Sequence, residues 1–168
     1  SEVERLDRSI GELLDYARPH MFAKKVIDII GIIRKAILLI DSDAKEGGVT
    51  ISENFQMNEC TVQGEEDRLI QVFLNLILNS IQAMPDGGTL EINVDIIDEK
   101  VIVTVTDSGV GMEQDLMEKI FDPYFTTKTQ GTGLGLSLTA KIIEDHGGSI
   151  VFRSEKDRGT EAMVTLPV

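Results

Sequence analysis

The chain opens with a narrow apolar seam on an otherwise charged segment. Within residues 1–18 the apolar positions are separated by three, four, three and four residues: Val3, Leu6, Ile10, Leu13 and Ala17. This heptad spacing predicts a helix that pairs with another helix along one side. The alternative is an amphipathic helix that packs on its own domain. Pro19 ends or kinks this helix, because the residue before a proline disfavours the helical conformation.

Beyond residue 20, longer apolar patterns alternate between helical and strand periods. Helices are predicted at 23–40, 65–84, 113–121 and 133–146, and strands at 49–55, 60–63, 89–97, 101–107, 149–154 and 160–166. Elements interleaved in this way are typical of an α+β fold. We therefore expect a two-layer sandwich in which three helices cover a mixed, mostly antiparallel sheet, preceded by an N-terminal helical linker.

The predicted helix at 65–84 is largely apolar but carries a single line of amide side chains. The line consists of Gln71, Asn75, Asn79 and Gln82, at gaps of four, four and three residues. Such spacing places the four side chains on one face of the helix. One interpretation is a solvated surface stripe, although such stripes usually recruit Lys and Glu. The other is a partly buried site, in which an Asn oxygen suits Mg²⁺ beside phosphate oxygens and water.

Two glycine-bearing segments follow predicted strands or open predicted helices. Asp107-Ser108-Gly109-Val110-Gly111 ends a strand, and its carboxylate can accept a hydrogen bond from an exocyclic amine. A plain turn is the simpler interpretation of those five residues alone. Residues 131–136 (Gly-Thr-Gly-Leu-Gly-Leu) open a helix, where N–H groups and the helix dipole favour an anion. Their spacing matches neither the dinucleotide fingerprint nor a phosphate loop with a Gly-Lys-Ser/Thr ending.

Between these segments lies an aromatic and hydroxyl-rich stretch, 121–128, which ends in Lys128. Its sequence, Phe-Asp-Pro-Tyr-Phe-Thr-Thr-Lys, predicts the hinge of a mobile loop rather than a regular element. The lysine either meets a phosphate or faces solvent, and the pattern of this stretch is compatible with both.

The net charge of the chain limits which ligands and partners it can bind. A net charge of −13 over 168 residues argues against a nucleic-acid surface. It also repels a nucleotide, so local backbone amides, a few cations and a divalent metal must hold the phosphates. The single cysteine, Cys60, excludes an internal disulfide and suits a reducing cytoplasm. No apolar run approaches the roughly 18 residues of a membrane span, so we expect a cytoplasmic location without a membrane segment here, even if the parent protein is anchored.

In this order the four segments resemble the boxes of an ATP-binding superfamily shared by gyrase, Hsp90, histidine kinases and MutL. Residues 71–79 resemble its N box, 107–111 its first glycine box, 121–128 its F box and 131–136 its second glycine box. With the closing strand that starts at Gly159-Thr160 and ends at Leu166-Pro167, the similarity spans about residues 23–168. The chain resembles the histidine-kinase branch, and within it the nitrogen-regulatory kinases, which implies the Bergerat-type ATP-binding fold.

The resemblance implies a role for each matching residue. Asn79 would ligate the Mg²⁺ that bridges the ATP phosphates, and Asn75 would support the phosphate side. Asp107 would receive the adenine amino group, while Thr160 would reach the adenine edge through water. The other matching residues would shape the lid and bring backbone amides close to the base or the phosphates: Gly109, Gly111, Gly131, Thr132, Gly133, Leu134 and Gly135.

Two positions decide what kind of family member this is. Gln82 stands where many relatives carry a lysine directed at the phosphates, so Lys128 becomes the substitute cation. Asn75 stands where the ATP-hydrolysing relatives place a glutamate that orients water. An amide cannot act as a general base at neutral pH, which favours a kinase that holds ATP for another nucleophile. The alternatives are an ATPase of the gyrase or Hsp90 type and a non-catalytic nucleotide sensor.

The acceptor histidine of such kinases lies on a separate helical hairpin. The histidines of this chain are His20 and His146, and neither is followed by the acceptor-box pattern. His146 instead resembles a helix end that the dipole stabilises and Gly147-Gly148 caps. Residues 1–20 resemble the end of the hairpin's second helix with a linker, and 21–168 the catalytic domain. The implied partners are the hairpin domain of the same protein and a response-regulator receiver domain, with the full-length kinase a homodimer.

Overall fold

The computed structural model describes residues 24–128 and 131–168, and the predicted helix end with its linker at 1–20 lies outside them. The helices in this part of the chain are α1 (Ile29–Glu46), α2 (Glu66–Gln82), α3 (Gln114–Met117) and α4 (Gly135–Asp145). The strands are β1 (Lys25–Asp28), β2 (Val49–Phe55), β3 (Thr61–Gly64), β4 (Gly88–Ile97), β5 (Lys100–Asp107), β6 (Ser149–Glu155) and β7 (Gly159–Pro167). Helices and strands are interspersed along the chain, and several strands follow one another directly (β2 and β3, β4 and β5, β6 and β7), as expected of an α+β fold.

A five-stranded mixed sheet forms one layer of the fold. Its strand order is β2-β4-β5-β7-β6, with β2 parallel to β4 and the other neighbouring pairs antiparallel. Strands β1 and β3 form a separate antiparallel ribbon. Alternate residues of the central strands are buried: Leu90, Ile92 and Val94 of β4, Val101, Val103 and Val105 of β5, and Ala162, Val164 and Leu166 of β7. This period of two gives the sheet one apolar face for the helices to cover.

Helices α1, α2 and α4 form the second layer, which confirms the predicted two-layer fold. Helix α2 contacts both of the other long helices. Its buried apolar residues recur at helical spacing: Leu69, Val72, Phe73, Leu76, Ile77 and Ile81. The amide line runs beside this buried face, because steps of four residues return to nearly the same angle around the helix. Within the described ranges, no helix has the length and apolar character needed to cross a membrane.

The predicted helix at 23–40 is wrong at both ends. Residues Lys25–Asp28 form strand β1, and the helix then runs from Ile29 to Glu46. Asp28 caps it, since the carboxylate accepts hydrogen bonds from the N–H groups of Ile30 at 3.2 Å and Gly31 at 2.9 Å. The apolar, β-branched run on both sides of Asp28 fits a strand or a helix, so periodicity alone could not place the boundary.

Two other helices are shorter than predicted. Helix α3 is confined to Gln114–Met117 rather than 113–121, and the chain continues from it through a series of turns. Helix α4 begins at Gly135 rather than at residue 133. Gly133 has a φ of +71°, a conformation that a right-handed helix does not contain.

Helix α4 ends in a glycine cap that buries a histidine. The N–H groups of Gly147 and Gly148 donate back into the last turn at 2.8 and 2.9 Å, the Schellman arrangement that the sequence predicts. His146 is only 1% exposed. Its Nδ1 donates to the carbonyl of Ile142 at 2.7 Å, and its Nε2 accepts from the N–H of Glu65 at 3.0 Å. Both ring nitrogens of this buried histidine are therefore engaged in hydrogen bonds.

Candidate functional site

A cleft of about 850 Å³ opens between α2, α4, β7 and the two glycine-bearing segments. Most of the residues selected from the sequence line it: Asn75, Asn79, Gln82, Asp107, Gly111, Lys128, Gly131, Thr132, Gly133, Gly135 and Thr160. They come from helices, a strand end and loops that are far apart in the chain. The fold therefore gathers the four segments around one space of a size suited to a small ligand.

Two of the selected residues lie behind the wall of this cleft. Gly109 packs against the end of α2, where a Cβ would come within 2.5 Å of the carbonyl oxygen of Ala83. Leu134 is 3% exposed and immediately precedes α4. Both residues shape the wall from behind and do not line the cleft itself.

One part of the cleft, which we call the Asp107 region, consists of Asp107, Gly111, Ser154 and Thr160. The Oδ1 atom of Asp107 accepts hydrogen bonds from the N–H groups of Gly109 at 2.9 Å and Thr160 at 3.1 Å. The residue is 6% exposed, and charge-assisted bonds of this kind offset the cost of burying a carboxylate. Since both bonds use Oδ1, Oδ2 is the oxygen that can accept from a ligand.

Ser154 fixes the neighbouring hydroxyl group and was missed by sequence reasoning. Its Oγ lies 2.8 Å from Thr160 Oγ1 and accepts from the N–H of Met112 at 2.8 Å. The Thr160 hydroxyl is therefore held by the adjacent strand. A serine in a strand carries no signal of its own, and only the register of β6 with β7 places it opposite Thr160.

The loop after Asp107 is pinned by main-chain contacts. Gly111 has a φ of +62°, and a Cβ there would lie 2.0 Å from the carbonyl oxygen of Glu155. The N–H of Val110 donates to the carbonyl of Ala83 at 3.0 Å, and the Val110 carbonyl accepts from the N–H of Asp157 at 2.7 Å. The Asp107 region is consequently tied to α2 on one side and to the β6–β7 turn on the other.

Apolar side chains line the same cleft and were also missed: Val110, Met112, Leu116, Ile120 and Phe152. Phe121 packs edge-on against Phe152, with ring centroids 5.6 Å apart. Apolar walls with a few fixed polar groups are typical of sites for small molecules that carry an aromatic ring. In the sequence, each of these residues is indistinguishable from an ordinary core residue. Only the fold brings it to the cleft.

A second part of the cleft, which we call the amide region, comprises Asn75, Asn79, Gln82, Lys128 and Thr139. Side-chain hydrogen bonds link these residues along α2. Lys128 Nζ donates to Asn79 Oδ1 at 2.6 Å and to Gln82 Oε1 at 2.5 Å. Asn79 Nδ2 donates to Asn75 Oδ1 at 3.4 Å, and Asn75 Nδ2 donates to Thr139 Oγ1 at 2.9 Å. Desolvation of the ammonium group lowers the pKa of Lys128 below its usual 10.5. The lysine thus contacts the amide line, and Thr139 is a member that the sequence did not reveal.

The loop that carries Lys128 is closed at its base. The N–H of Tyr124 donates to the carbonyl of Gly133 at 2.9 Å, so the two ends of the loop meet beside α4. A Cβ on Gly133 would come within 2.4 Å of the Tyr124 carbonyl carbon, which keeps this junction tight. Within the loop, Thr126 Oγ1 accepts from the N–H of Lys128 at 3.1 Å. The main chain that carries Lys128 is therefore anchored at the base of the loop, and the lysine side chain reaches the amide region from there.

Residues 64–168 match the model of a family described as histidine kinase-, DNA gyrase B- and HSP90-like ATPases. The chain belongs to this family. The matched residues include all four segments and both regions of the cleft. The assignment to the ATP-binding superfamily that the four boxes predict is confirmed.

Solved members of the family share the fold. The catalytic domain of the histidine kinase ThkA superposes with a TM-score of 0.80 at 34% identity, covering 87% of this chain and 96% of that one. A structure of ThkA in complex with the response regulator protein TrrA gives a TM-score of 0.83 at 30% identity and covers 99% of this chain and 48% of that one. The fold is that of a histidine kinase catalytic domain, as predicted.

Curated relatives are kinases of greater length. Sensor histidine kinase ZraS of Salmonella typhimurium is 40% identical to this chain, with 99% of this chain and 36% of ZraS covered. Sporulation kinase C of Bacillus subtilis is 35% identical, with 100% of this chain and 40% of that kinase covered. This chain therefore spans less than half the length of either relative.

Proposed function

We propose that the chain is the ATP-binding catalytic domain of a two-component sensor histidine kinase. It presents the γ-phosphoryl group of ATP to a histidine on a separate helical-hairpin domain of the same protein, and a response-regulator receiver domain takes the group from there. The full-length protein acts as a homodimer in the cytoplasm. The kinase names of the relatives and the response regulator bound to ThkA support this class of function.

The amide at position 75 is the observation that carries the proposal. Among the described residues that line the cleft, Asp107 is the one carboxylate, Lys128 the one cation, and no histidine is present. Asn75 has both ends of its amide engaged, with Thr139 and with Asn79. Activation of water requires a base that can accept a proton, which neither an amide nor a distant carboxylate supplies at the phosphates. The site therefore suits transfer to an external nucleophile better than hydrolysis.

Asp107 selects adenine in this proposal. With Oδ1 occupied by two backbone N–H groups, Oδ2 accepts a hydrogen bond from the exocyclic amino group of the base. Guanine presents a carbonyl oxygen at the same position, and a carboxylate repels that oxygen. The contact therefore favours ATP over GTP.

Asn79 holds Mg²⁺ through Oδ1 in this proposal. That oxygen accepts a hydrogen bond from the Lys128 ammonium group, so its surroundings already suit a cation. In residues 24–128 and 131–168, no three His, Cys, Asp or Glu side chains are grouped to hold a metal. One protein oxygen fits an ion that takes its other ligands from phosphates and water. Asn79 would hold the ion beside the phosphates, and the ion would supply positive charge that offsets the charge of the phosphoryl group.

Lys128 and helix α4 supply the remaining positive potential. The long side chain of Lys128 can turn from the amide line to a phosphate oxygen while its loop stays anchored. Leu134 precedes α4 and offers no side-chain acceptor, so the cap leaves first-turn N–H groups for an anion. These local contributions offset the repulsion that a net charge of −13 exerts on a nucleotide.

The acceptor histidine lies on another domain in this proposal. His146 is buried, and both of its ring nitrogens are engaged in hydrogen bonds, so it cannot attack the γ-phosphorus. His20 lies outside the described residues and lacks the acceptor-box pattern. Transfer therefore requires the hairpin.

The test supplies the chain with Mg²⁺, ATP labelled on its terminal phosphate, and a separately purified hairpin domain from the same parent protein. We expect acid-labile, base-stable label on the hairpin with little free phosphate. A hairpin whose acceptor histidine is replaced by glutamine is the matched control and should stay unlabelled. Rapid release of free phosphate with an unlabelled hairpin would establish the ATPase alternative. ATP binding with neither product would establish a nucleotide sensor.

A further inference from the structure

Three side-chain hydrogen bonds form a continuous chain from α4 through the predicted metal ligand, Asn79, to Lys128. Asn75 donates to Thr139, Asn79 donates to Asn75, and Asn79 Oδ1 accepts from Lys128. Both amides therefore point their NH₂ groups towards Thr139 and their oxygens towards Lys128. The direction is the same at every step of the chain.

This shared direction matters because the two ends of an amide have nearly the same shape but opposite hydrogen-bonding character. A half-turn of the Asn79 amide would present its NH₂ group to a cation and its oxygen to the oxygen of Asn75. Asn75 would then have to turn as well, and the Thr139 hydroxyl would have to donate to its oxygen instead of accepting from its NH₂ group. The two amides consequently keep or lose their orientation together.

Thr139 is the fixed end of this chain. It is 2% exposed, so water has little access to replace its hydroxyl as the acceptor for Asn75 Nδ2. The start of α4 lies directly against Asn75, since a Cβ on Gly135 would come within 2.7 Å of Asn75 Oδ1. The close approach of the two helices holds the hydroxyl where the amide can reach it.

We propose that Thr139 is a positioning residue of the nucleotide site. Its hydroxyl oxygen accepts from Asn75 Nδ2 and holds that amide in place. Asn75 Oδ1 can then accept from Asn79 Nδ2, which leaves the Asn79 oxygen for the cation that accompanies the nucleotide phosphates. The inference rests on the proposed function, because the cation is assumed to arrive with ATP. It adds a residue on a different helix, which acts through its hydrogen bond with Asn75.

The experiment compares Thr139→Val with Thr139→Ser. Valine keeps the branched shape and removes the acceptor, whereas serine keeps the acceptor and removes a methyl group. ATP binding is measured by calorimetry across a series of Mg²⁺ concentrations and again in EDTA, with the whole chain. We expect the valine variant to raise the Mg²⁺ concentration for half-maximal enhancement about three- to tenfold, the range for one neutral hydrogen bond, with affinity in EDTA unchanged. Serine should restore the wild-type Mg²⁺ requirement.

A purely structural role for Thr139 predicts a different pattern. It would weaken binding with and without Mg²⁺ in the same proportion, and serine would not restore it; that result overturns the inference. An unchanged Mg²⁺ requirement in the valine variant also overturns it. Thr139→Ala, which lacks the acceptor as well, takes the place of valine if that variant does not fold.

The route through Asn75 has its own test. In an Asn75→Ala background, adding Thr139→Val should change the Mg²⁺ requirement less than twofold, because the link between the two is already broken. A full three- to tenfold effect in that background would show that Thr139 acts by another route. If the wild-type chain binds no ATP at any Mg²⁺ concentration, the proposed function itself fails, which is a distinct outcome from these.

Discussion

The Asp107 region and the amide region of the cleft are built from different kinds of contact. In the first, backbone N–H groups fix Asp107 Oδ1, and Gly111 packs directly on a main-chain carbonyl. In the second, hydrogen bonds run from side chain to side chain, and the series of bonds ends at the long side chain of Lys128. Main-chain contacts move only if a strand or loop moves, whereas side-chain bonds exchange by rotamer changes. The Asp107 region is therefore preorganised, whereas the amide region is exchangeable in the sense that its side-chain contacts can change partners.

This difference fits the two tasks of a phosphoryl donor. In the proposed function the Asp107 region receives the base, and a preorganised pocket loses little conformational entropy when it binds. The amide region would instead receive three charged phosphate groups with a metal and then release one group to another domain. Contacts that exchange partners can follow that change in charge without refolding the cleft.

Gly111→Ala should damage the preorganised region most. The left-handed backbone costs about 1–2 kcal/mol for alanine, and contact with the Glu155 carbonyl adds a similar amount, so the free energy of unfolding should fall by about 3 kcal/mol. Gly131→Ala is the control in the loop that carries Lys128, since the atoms nearest its Cβ would belong to the side chains of Thr126 and Lys128. It should cost less than about 1 kcal/mol. Equal losses in urea denaturation would contradict the contrast.

Asn79→Ala should abolish most of the metal-dependent affinity. Loss of an oxygen that faces a cation costs about 2–3 kcal/mol, on the order of 100-fold in affinity for ATP with Mg²⁺. Affinity in EDTA and the thermal unfolding midpoint should change little, because Asn79 lies on the cleft side of α2. Calorimetric titration checks both. Wild-type affinity with Mg²⁺ present would remove the assignment of Asn79 as metal ligand.

Asp107→Asn should weaken adenine recognition by about 1–3 kcal/mol, the range for a hydrogen bond to a charged group. The variant can still accept the two backbone bonds through its oxygen, but it places an NH₂ group opposite the adenine amino group. Competition between ATP and GTP for a fluorescent nucleotide should show the preference for ATP reduced. If the wild-type chain already binds the two equally, Asp107 does not select the base.

Titration of Lys128 should produce the smallest effect. Desolvation lowers the pKa of Lys128 in the folded chain, so between that lowered value and 10.5 the unfolded chain binds more protons than the folded one. Stability should therefore rise with pH across this window, and a Lys128→Met variant, which lacks the group, should not share that component. The rise should be slight because solvent screens the exposed part of the side chain. Parallel curves for the two proteins would show that the ammonium group is not desolvated.

A structural feature could be predicted from the sequence where its pattern of residues lies within one continuous segment of the chain. Helix α2 is long and strongly periodic, so both its existence and the common face of Asn75 and Asn79 were predictable. Thr139 was not, because its contact with Asn75 spans 64 positions and depends on how two helices pack. Gly109 belongs to a recognisable segment, yet its place behind the wall follows from the end of α2. Local patterns identified the elements, and only tertiary packing placed these partners.

The closed base of the Lys128 loop bears on how this family can diversify. Because Tyr124 and Gly133 remain joined by a hydrogen bond, residues added between Lys128 and Gly131 need not displace α4 or the cleft wall. Each doubling of such a loop costs only about 0.6 kcal/mol in closure entropy. A lineage can therefore lengthen or rewrite this loop by insertion alone, while the rest of the domain stays under the same selection for its shape.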